Sequence, residues 1–160
     1  DCGLNPEPTA EELASIAIAA ADGSADMMGW EPRVAFLSFS TDGSGAGASV
    51  DRVDEAIKIV CERRGELAVD GEFQLDAAID PAVAAKKVRR ESDVAGRANV
   101  LVFPDLNAAN IAVKLIQRFA HGAAYGHSLS GFKCPVADSS RGATVDEIVG
   151  DIVMLVLSAR

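Results

Sequence analysis

Aromatic residues and long hydrophobic runs are scarce in this sequence. Aromatics make up 5% of the 160 residues whereas hydrophobic residues make up 49%, so we expect an aliphatic core built from Ala, Val, Ile and Leu. The longest apolar runs are residues 16–21 and 152–157. Both fall well short of the roughly 20 residues that a membrane helix needs, so we expect a protein that does not span a membrane.

Basic residues are also in the minority. Fifteen Lys and Arg residues stand against 24 Asp and Glu residues, which gives a net charge of -9. Such a charge repels a phosphate backbone at long range and argues against nucleic acid as a partner. The dense basic run of Lys86, Lys87, Arg89 and Arg90 is interpreted as a solvated helix face, with a contact to the phosphates of an acidic ligand as the alternative.

The sequence lacks the patterns of disulfide frameworks and metal sites. The chain has three cysteines, Cys2, Cys61 and Cys134, and no two of them have Cys-x-x-Cys spacing. This odd, widely spaced set fits a protein of the reducing cytoplasm. His121 and His127 share no face with an acidic partner, so we predict no metal and no tightly bound cofactor. A chain that begins without Met or a signal segment is expected to be a piece of a longer one.

Short apolar stretches alternate with helical patterns along the chain. The capping-box pattern from Thr9 to Glu12 predicts a first helix from about Ala10 to the Asp22-Gly23 break. Strands are predicted at 34–39, 67–69, 100–103 and 128–132, and further helices at 50–65 after Ser49, from Pro81, through Phe119 until Gly122, and from Val145 to about Leu157 after Thr144. This alternation predicts one α/β unit over residues 1–160 with a mostly parallel sheet, and ligands beyond the carboxyl ends of its strands.

The loop before the last predicted helix has the features of an anion site. It covers residues 138–144 and ends at a helix N-terminus, where unpaired amides and the helix dipole attract anions. Arg141 adds a guanidinium that suits phosphate. The alternative is an ordinary loop whose arginine points to water.

Glu147 has two interpretations. It follows Thr144 by three residues and fits the reciprocal half of a second capping box, which is the interpretation that the local pattern favours. Alternatively, Asp146 and Glu147 place carboxylates within one turn of Ser140 and Arg141, where a general base for a thiol or a hydroxyl would act.

Two further segments lie where a predicted helix begins. The Gly-rich run 41–47, with Thr41 and Ser44, lies between a strand and a helix as a phosphate-cradling loop would. It lacks the P-loop ending and the Gly-x-Gly-x-x-Gly order, so ATP and NAD are poorly supported and a flexible connector is an equal alternative. Asp105 and Asn110 flank the start of another helix, where Asp105 is expected to be the cap.

Several segments occur in one order along nearly the whole chain and together resemble one family. They are Asp1-Cys-x-x-Asn-Pro-x-Pro-Thr9 with Glu11-Glu-Leu-Ala14, Leu37-Ser-Phe-Ser-Thr-Asp-Gly-Ser44, Val69-Asp-Gly-Glu-Phe-Gln-Leu-Asp-Ala-Ala78, Ala95-Gly-Arg-Ala-Asn-Val-Leu-Val-Phe-Pro-Asp-Leu106 and Ser140-Arg-Gly142. On these motifs the sequence resembles the phosphate acetyltransferase (phosphotransacetylase) family.

The resemblance implies a fold, an activity and site residues. The fold would be part of the two-domain, isocitrate dehydrogenase-like α/β fold, usually a homodimer, with the active site between the domains. The activity would be reversible acetyl transfer between coenzyme A and phosphate, with the thiolate attacking acetyl phosphate directly and coenzyme A acting as a substrate. Ser140 would bond the reacting carbonyl, Arg141 would engage the phosphoryl or coenzyme A side, and Glu147 would be the base. The residues expected to bind substrate are Thr41, Ser44, Asp105, Asn110 and Lys133.

Three departures from the family pattern bear on these roles. The family's base is an aspartate, whereas Glu147 is one methylene longer and follows Asp146; a misplacement of about 1 Å costs roughly 100-fold in rate. In the stretch 126–139, Ser130 and Ala137 replace the family's Gln and Asn. The chain resembles only the C-terminal portion of the catalytic unit, so we expect the piece alone to be inactive or barely active. A non-catalytic acetyl-CoA-sensing domain and a phosphate butyryltransferase are the alternative functions.

Overall fold

Helices and short strands alternate in the computed structural model, which describes residues 1–159. The helices are α1 (Ala10–Met28), α2 (Ala48–Arg63), α3 (Leu75–Ile79), α4 (Pro81–Lys87), α5 (Leu106–Phe119) and α6 (Val145–Leu157). The strands are β1 (Arg33–Leu37), β2 (Ala68–Phe73), β3 (Val100–Val102), β4 (Ser128–Leu129) and β5 (Val136–Ala137). The α/β class that the alternation predicts is confirmed.

The central sheet is parallel and has the strand order β2-β1-β3. Val34 of β1 lies opposite Val69 of β2 on one side and Val100 of β3 on the other. The largely parallel sheet is therefore as predicted. Because the strands run in one direction, their carboxyl ends meet at one edge, which is where α/β proteins place their ligands.

Strand β1 is buried on both of its faces. Successive side chains of a strand point to opposite sides of the sheet. Val34 and Phe36 pack in the cluster that α1 and α2 cover, and Ala35 and Leu37 pack in a second cluster with Phe73 of β2 and residues of α3. Both faces therefore require apolar side chains, which explains why this strand appears in the sequence as a continuous apolar run.

Helix α1 begins where the sequence predicts but ends later. The capping box between Thr9 and Glu12 is formed, so the predicted start is confirmed. The predicted end at the Asp22-Gly23 break is wrong, because the helix continues to Met28. Its C-cap is Gly29, whose φ is 65° and whose amide donates to the Ala25 carbonyl at 2.9 Å. A glycine inside a helix costs only about 1 kcal/mol, and burial of α1 against the core offsets that cost.

The segment predicted as a final strand at 128–132 forms a hairpin outside the central sheet. Only Ser128 and Leu129 are in strand conformation, and they pair antiparallel with Val136 and Ala137. Residues 130–135 are exposed, so no apolar face draws this segment into the parallel sheet.

Other boundaries differ from the predictions by a few residues. β2 continues to Phe73 instead of ending at Val69, and α2 begins at Ala48 with Gly47 as its N-cap instead of starting after Ser49. The short helix α3 was not predicted, because five residues are too few to show a helical period. Pro81 occupies the first turn of α4, as its fixed φ predicts.

Helices α5 and α6 leave apolar side chains uncovered. Ile111, Leu115 and Phe119 recur at intervals of four residues on one face of α5, and they are 58%, 49% and 80% exposed. On α6, Ile152 and Val156 are also more than half exposed. None of the helices among residues 1–159 is long and apolar enough to cross a membrane. Uncovered apolar helix faces of this kind mark a surface for a further protein segment.

Candidate functional site

Polar residues gather at the carboxyl edge of the central sheet. Glu72 is 5% exposed, and its Oε1 accepts hydrogen bonds from Ser40 Oγ at 2.5 Å and from the Gly43 amide at 3.1 Å. A buried carboxylate requires such donors. Glu72 therefore holds the loop after β1 against the end of β2.

The predicted substrate-binding residues Thr41 and Ser44 lie in this loop. Thr41 is buried, and its Oγ1 accepts a hydrogen bond from the Gln74 amide at 2.8 Å. Ser44 is exposed, and its Oγ accepts from the Thr41 amide at 2.9 Å. The loop is therefore held by its own side chains, and of these two residues only Ser44 is exposed to solvent. Contact of either residue with substrate stays a prediction.

Arg90 fixes the same loop from outside. Its Nη1 and Nη2 donate to the two carboxylate oxygens of Asp70 at 2.8 and 2.6 Å, and its Nε donates to Asp42 at 3.0 Å. The hydrogen bonds to Asp70 are the main reason why the pKa of Arg90 is raised. Lys87 donates to Asp76 at 2.7 Å. Lys87 and Arg90, two residues of the basic run 86–90, are thus engaged in ion pairs within the chain. Neither the solvated helix face nor the ligand contact considered from the sequence includes these ion pairs.

Asp105 and Asn110 lie in the first turns of α5. Asp105 is the N-cap of the helix and accepts a hydrogen bond from the Ala108 amide at 2.9 Å, so the predicted cap is confirmed. Asn110 donates through Nδ2 to the Cys2 carbonyl at 3.2 Å. Both side chains have a role inside the fold, and their contact with substrate stays a prediction.

A second polar group lines a cleft between α5 and α6. The cleft encloses about 620 Å³ and has walls from α5, the segment 121–127, the loop before α6 and α6 itself. The charged side chains and histidines in its lining are Lys114, Arg118, His121, His127, Asp146, Glu147 and Asp151. This mixture of cations, carboxylates and hydroxyls is typical of a site that binds a polar small molecule.

Ser140 and Arg141 both precede α6, but only Ser140 lines the cleft. The Ser140 carbonyl accepts a hydrogen bond from the Ala143 amide at 2.9 Å, and its Oγ accepts a long one from the Gly142 amide at 3.4 Å. Arg141 is exposed, and its guanidinium forms no hydrogen bond or ion pair with residues 1–159. The guanidinium is therefore available to pair with an anion.

Glu147 forms the second capping box and faces the cleft. Its Oε2 accepts hydrogen bonds from the Thr144 amide at 2.8 Å and from the Thr144 hydroxyl at 3.1 Å, while its Oε1 accepts from Gln117 Nε2 at 3.0 Å. The Thr144 amide is the main cause of the lowered pKa of Glu147. The capping interpretation is confirmed, and the role as a base stays a prediction.

Two sequence predictions remain, the substrate contact of Lys133 and the absence of a metal. Lys133 is exposed in the turn between β4 and β5 and is not in the lining of the cleft. Within the described range 1–159, no three His, Cys, Asp or Glu residues are grouped so that they would hold a metal ion.

Several residues of the cleft, among them Asp151 and Arg118, were not predicted from the sequence. Asp151 is 4% exposed and bonded to Ser139 and Gly126, and Arg118 is an exposed cation in the last turn of α5. A signal for Asp151 was present, because this acid interrupts the apolar pattern of α6. A basic residue in the last turn of a helix is common, so Arg118 carried no distinctive signal.

Tyr125 packs directly on α6 at Gly150. A Cβ atom on Gly150 would lie 2.0 Å from Tyr125 Cδ1 and 2.3 Å from Tyr125 Cε1, which is far inside van der Waals contact. Tyr125 also lines the cleft. The glycine in the middle of α6 costs helix stability relative to alanine, and the close approach of the aromatic ring explains why it is tolerated.

We expect Gly150→Ala to lower the melting temperature of the full-length protein. In an exposed helix the same substitution would stabilise by about 1 kcal/mol, but overpacking against Tyr125 costs about 1–3 kcal/mol. Thermal unfolding followed by circular dichroism measures the result. In a Tyr125→Ala background, the added methyl group should become neutral or stabilising. An equal rise in melting temperature in both backgrounds would contradict the packing described here.

The fold and the cleft define an α/β protein in which carboxylate, hydroxyl and basic side chains meet beside a helix N-terminus, as in enzymes that act on small anionic molecules. Residues 1–156 match the phosphate acetyl/butaryl transferase family. The chain belongs to this family, which confirms the resemblance inferred from the motifs.

Individual relatives agree with this assignment. The chain is 51% identical over 160 residues to the phosphate acetyltransferase of Clostridium acetobutylicum, covering 100% of this chain and 48% of that protein. It is 50% identical over 159 residues to the phosphate acetyltransferase of Escherichia coli, covering 99% of this chain and 22% of that protein. The crystal structure of a phosphotransacetylase from Streptococcus pyogenes superposes with a TM-score of 0.91 at 44% identity, over 99% of this chain and 48% of that one. The chain thus spans about half the length of the Clostridium acetobutylicum and Streptococcus pyogenes proteins and less than a quarter of the Escherichia coli protein.

Proposed function

We propose that the whole protein is a phosphate acetyltransferase, which moves an acetyl group reversibly between coenzyme A and phosphate. One observation carries the proposal: Ser140 and Glu147 line one cleft in a chain that is 51% identical to a phosphate acetyltransferase along its entire length. The substrates are then coenzyme A, acetyl phosphate, acetyl-CoA and phosphate, with coenzyme A as a substrate and not as a resident cofactor.

The proposed reaction is a direct transfer. The coenzyme A sulfur attacks the carbonyl carbon of acetyl phosphate, a C–S bond forms, and the bond from that carbon to the phosphoryl oxygen breaks. Phosphate leaves with the electron pair of the broken bond, and the thiol proton passes to a carboxylate of the protein. The Ser140 hydroxyl donates a hydrogen bond to the carbonyl oxygen as it gains negative charge. Arg141 pairs with the departing phosphate.

Cations in the cleft support binding of anionic substrates. The net charge of the protein is -9, which by itself repels coenzyme A and acetyl phosphate. Lys114 and Arg118 line the cleft from α5, and Arg141 lies beside it without an internal partner among residues 1–159. These three cations stand beside the three carboxylates of the lining, and they supply the groups that pair with the phosphates of the substrates.

Glu147 is the proposed base, with Asp146 as the second candidate. The capping hydrogen bonds lower the pKa of Glu147, so this carboxylate stays ionised through the neutral range and is ready to accept a proton. The same hydrogen bonds weaken it as a base. Asp146 also lines the cleft and is exposed, which supports it as the alternative base.

We further propose a cytoplasmic homodimer in which residues 1–160 form one α/β unit of the longer protein. The cysteines are unpaired, as a reducing compartment favours. The uncovered faces of α5 and α6 are suited to burial against the rest of the protein or a second copy. The isolated chain is accordingly expected to have little or no activity.

The test is an assay of the full-length protein with acetyl phosphate and coenzyme A, followed by thioester absorbance. We expect turnover in the wild type and a roughly 10- to 100-fold lower kcat/KM in Arg141→Ala, since a lost charge-assisted hydrogen bond is worth about 1.5–3 kcal/mol. Arg63→Ala is the matched control, because Arg63 pairs with Glu11 on the surface away from the cleft.

Other outcomes of the same assay separate the alternatives. No turnover in the wild type would contradict the proposal, and acetyl-CoA binding without turnover would indicate a sensing domain. A higher kcat/KM with butyryl phosphate than with acetyl phosphate would indicate a phosphate butyryltransferase. An unchanged Arg141→Ala variant would remove Arg141 from the mechanism.

A further inference from the structure

A buried carboxylate on α6 joins two segments that form the wall of the cleft. Asp151 is 4% exposed. Its Oδ1 accepts a hydrogen bond from the Gly126 amide at 2.6 Å, and its Oδ2 accepts one from Ser139 Oγ at 2.5 Å. One side chain on α6 therefore holds a residue from each of two different segments.

These two segments run side by side toward the cleft. The His127 amide donates to the Asp138 carbonyl at 2.6 Å, and the Asp138 amide donates to the His127 carbonyl at 3.0 Å. The β4–β5 pairing thus extends to these two residues, and Asp151 binds the next residue along each segment, Gly126 and Ser139. Ser139 is joined by a peptide bond to Ser140, whose hydroxyl is assigned to the reacting carbonyl.

The fold alone does not require an acid at this position. Burying an ionised carboxylate costs several kcal/mol unless donors satisfy it. No Lys, Arg or His among residues 1–159 forms an ion pair with Asp151, so its two hydrogen bonds supply the compensation. An aliphatic side chain like those of Ile148 and Ile152 would fill a helix position without this cost. The carboxylate is therefore better explained by what it holds than by core packing.

We propose that Asp151 is a positioning residue, which fixes Ser140 at the wall of the cleft by linking Ser139 to the Gly126 amide. This inference rests on the proposed function, because Ser140 is the group that it positions. Asp151 acts through Ser139 and the backbone, and it takes no proton in the reaction. The link requires a side chain that hydrogen-bonds two groups at once, which the two oxygens of a carboxylate provide and a methyl group does not.

The experiment uses the full-length protein, four variants of the link and one control variant. In Asp151→Ala and in Ser139→Ala we expect kcat to fall about 10- to 100-fold, since a displacement of about 1 Å has effects of this size, while KM changes less than about threefold. The double variant should be no slower than Asp151→Ala alone, because both changes break one link. Ser139→Thr keeps the hydroxyl and should retain activity close to wild type.

If the Asp151 variant fails to fold, Ser139→Ala still tests the link, because Ser139 is exposed and its replacement is not expected to disturb folding. Asp93→Ala is the matched control, since Asp93 is exposed and outside the cleft lining; its kinetics should equal those of the wild type. A lower melting temperature with unchanged kcat would overturn the proposal, as would effects that multiply in the double variant or a loss confined to KM.

Hydrogen exchange separates this proposal from the proposed function. The Ala143 amide donates to the Ser140 carbonyl, and the His127 amide donates to the Asp138 carbonyl. Both amides should exchange faster in Asp151→Ala and in Ser139→Ala than in Asp93→Ala. If the wild type shows no acetyl transfer, the proposed function fails while this readout still tests the link. Unchanged exchange at both amides would overturn the link itself.

Discussion

Ser140→Ala is expected to lower the kcat of the full-length protein about 100- to 1,000-fold, because removal of one donor to a developing oxyanion costs this much in acyl transfer. Ser140 lines the cleft, and its Oγ accepts only a long hydrogen bond from the Gly142 amide at 3.4 Å. Its hydroxyl proton is therefore free to be donated to the carbonyl oxygen of the substrate. Acetyl transfer under saturating substrate measures the effect on kcat.

The Ser140 prediction concerns transition-state binding, so the loss should appear in kcat and in kcat/KM alike. Ser15→Ala is the control, because Ser15 on α1 donates its hydroxyl to the Glu11 carbonyl and does not line the cleft. If Ser140→Ala raised KM and left kcat at the wild-type value, the hydroxyl would contribute to ground-state binding only, and its assignment to the oxyanion would be wrong.

Phe36→Ala is expected to lower the free energy of unfolding by about 3–5 kcal/mol, which is the usual cost of deleting a buried aromatic side chain. Phe36 has no exposed surface and lies in the central strand within the cluster under α1 and α2. Because a domain of this kind is stable by only about 5–15 kcal/mol, the variant is expected to lose a large part of its stability. Urea unfolding of the full-length protein measures the change.

Phe132→Ala provides the matched control for Phe36→Ala. Phe132 is 59% exposed in the turn between β4 and β5, so its replacement should change the free energy of unfolding by no more than about 0.5 kcal/mol. Equal losses in the two variants, with an unchanged denaturant slope, would show that Phe36 is not at the centre of the core.

Local patterns predicted those parts of the fold that neighbouring residues decide. The predicted capping boxes at Thr9 and Thr144 are confirmed, because the residues that satisfy the first amides of a helix lie within one turn of each other. The end of α1 was misplaced because Gly23 interrupts the local pattern, whereas burial along the rest of the helix continues past it. Helix ends that depend on distant packing are not visible in a local pattern.

The apolar stripe of α5 shows a different limit. The spacing of Ile111, Leu115 and Phe119 predicts the helix correctly, but these side chains are about half exposed or more in the chain. Periodicity shows that one helix face avoids water, and it does not show which surface covers that face. A buried face and an interaction surface have the same pattern in the sequence.

By itself the sequence determined the α/β class, most helix starts and the family, because these depend on composition, short-range spacing and ordered motifs. Only the tertiary structure decided which side chains share the cleft: Asp151 meets Gly126 and Ser139, which are 25 and 12 residues away along the chain. It also revealed that Glu147 bonds Gln117 of another helix. Contacts between distant segments arise from how the helices pack on the sheet, and no local spacing records them.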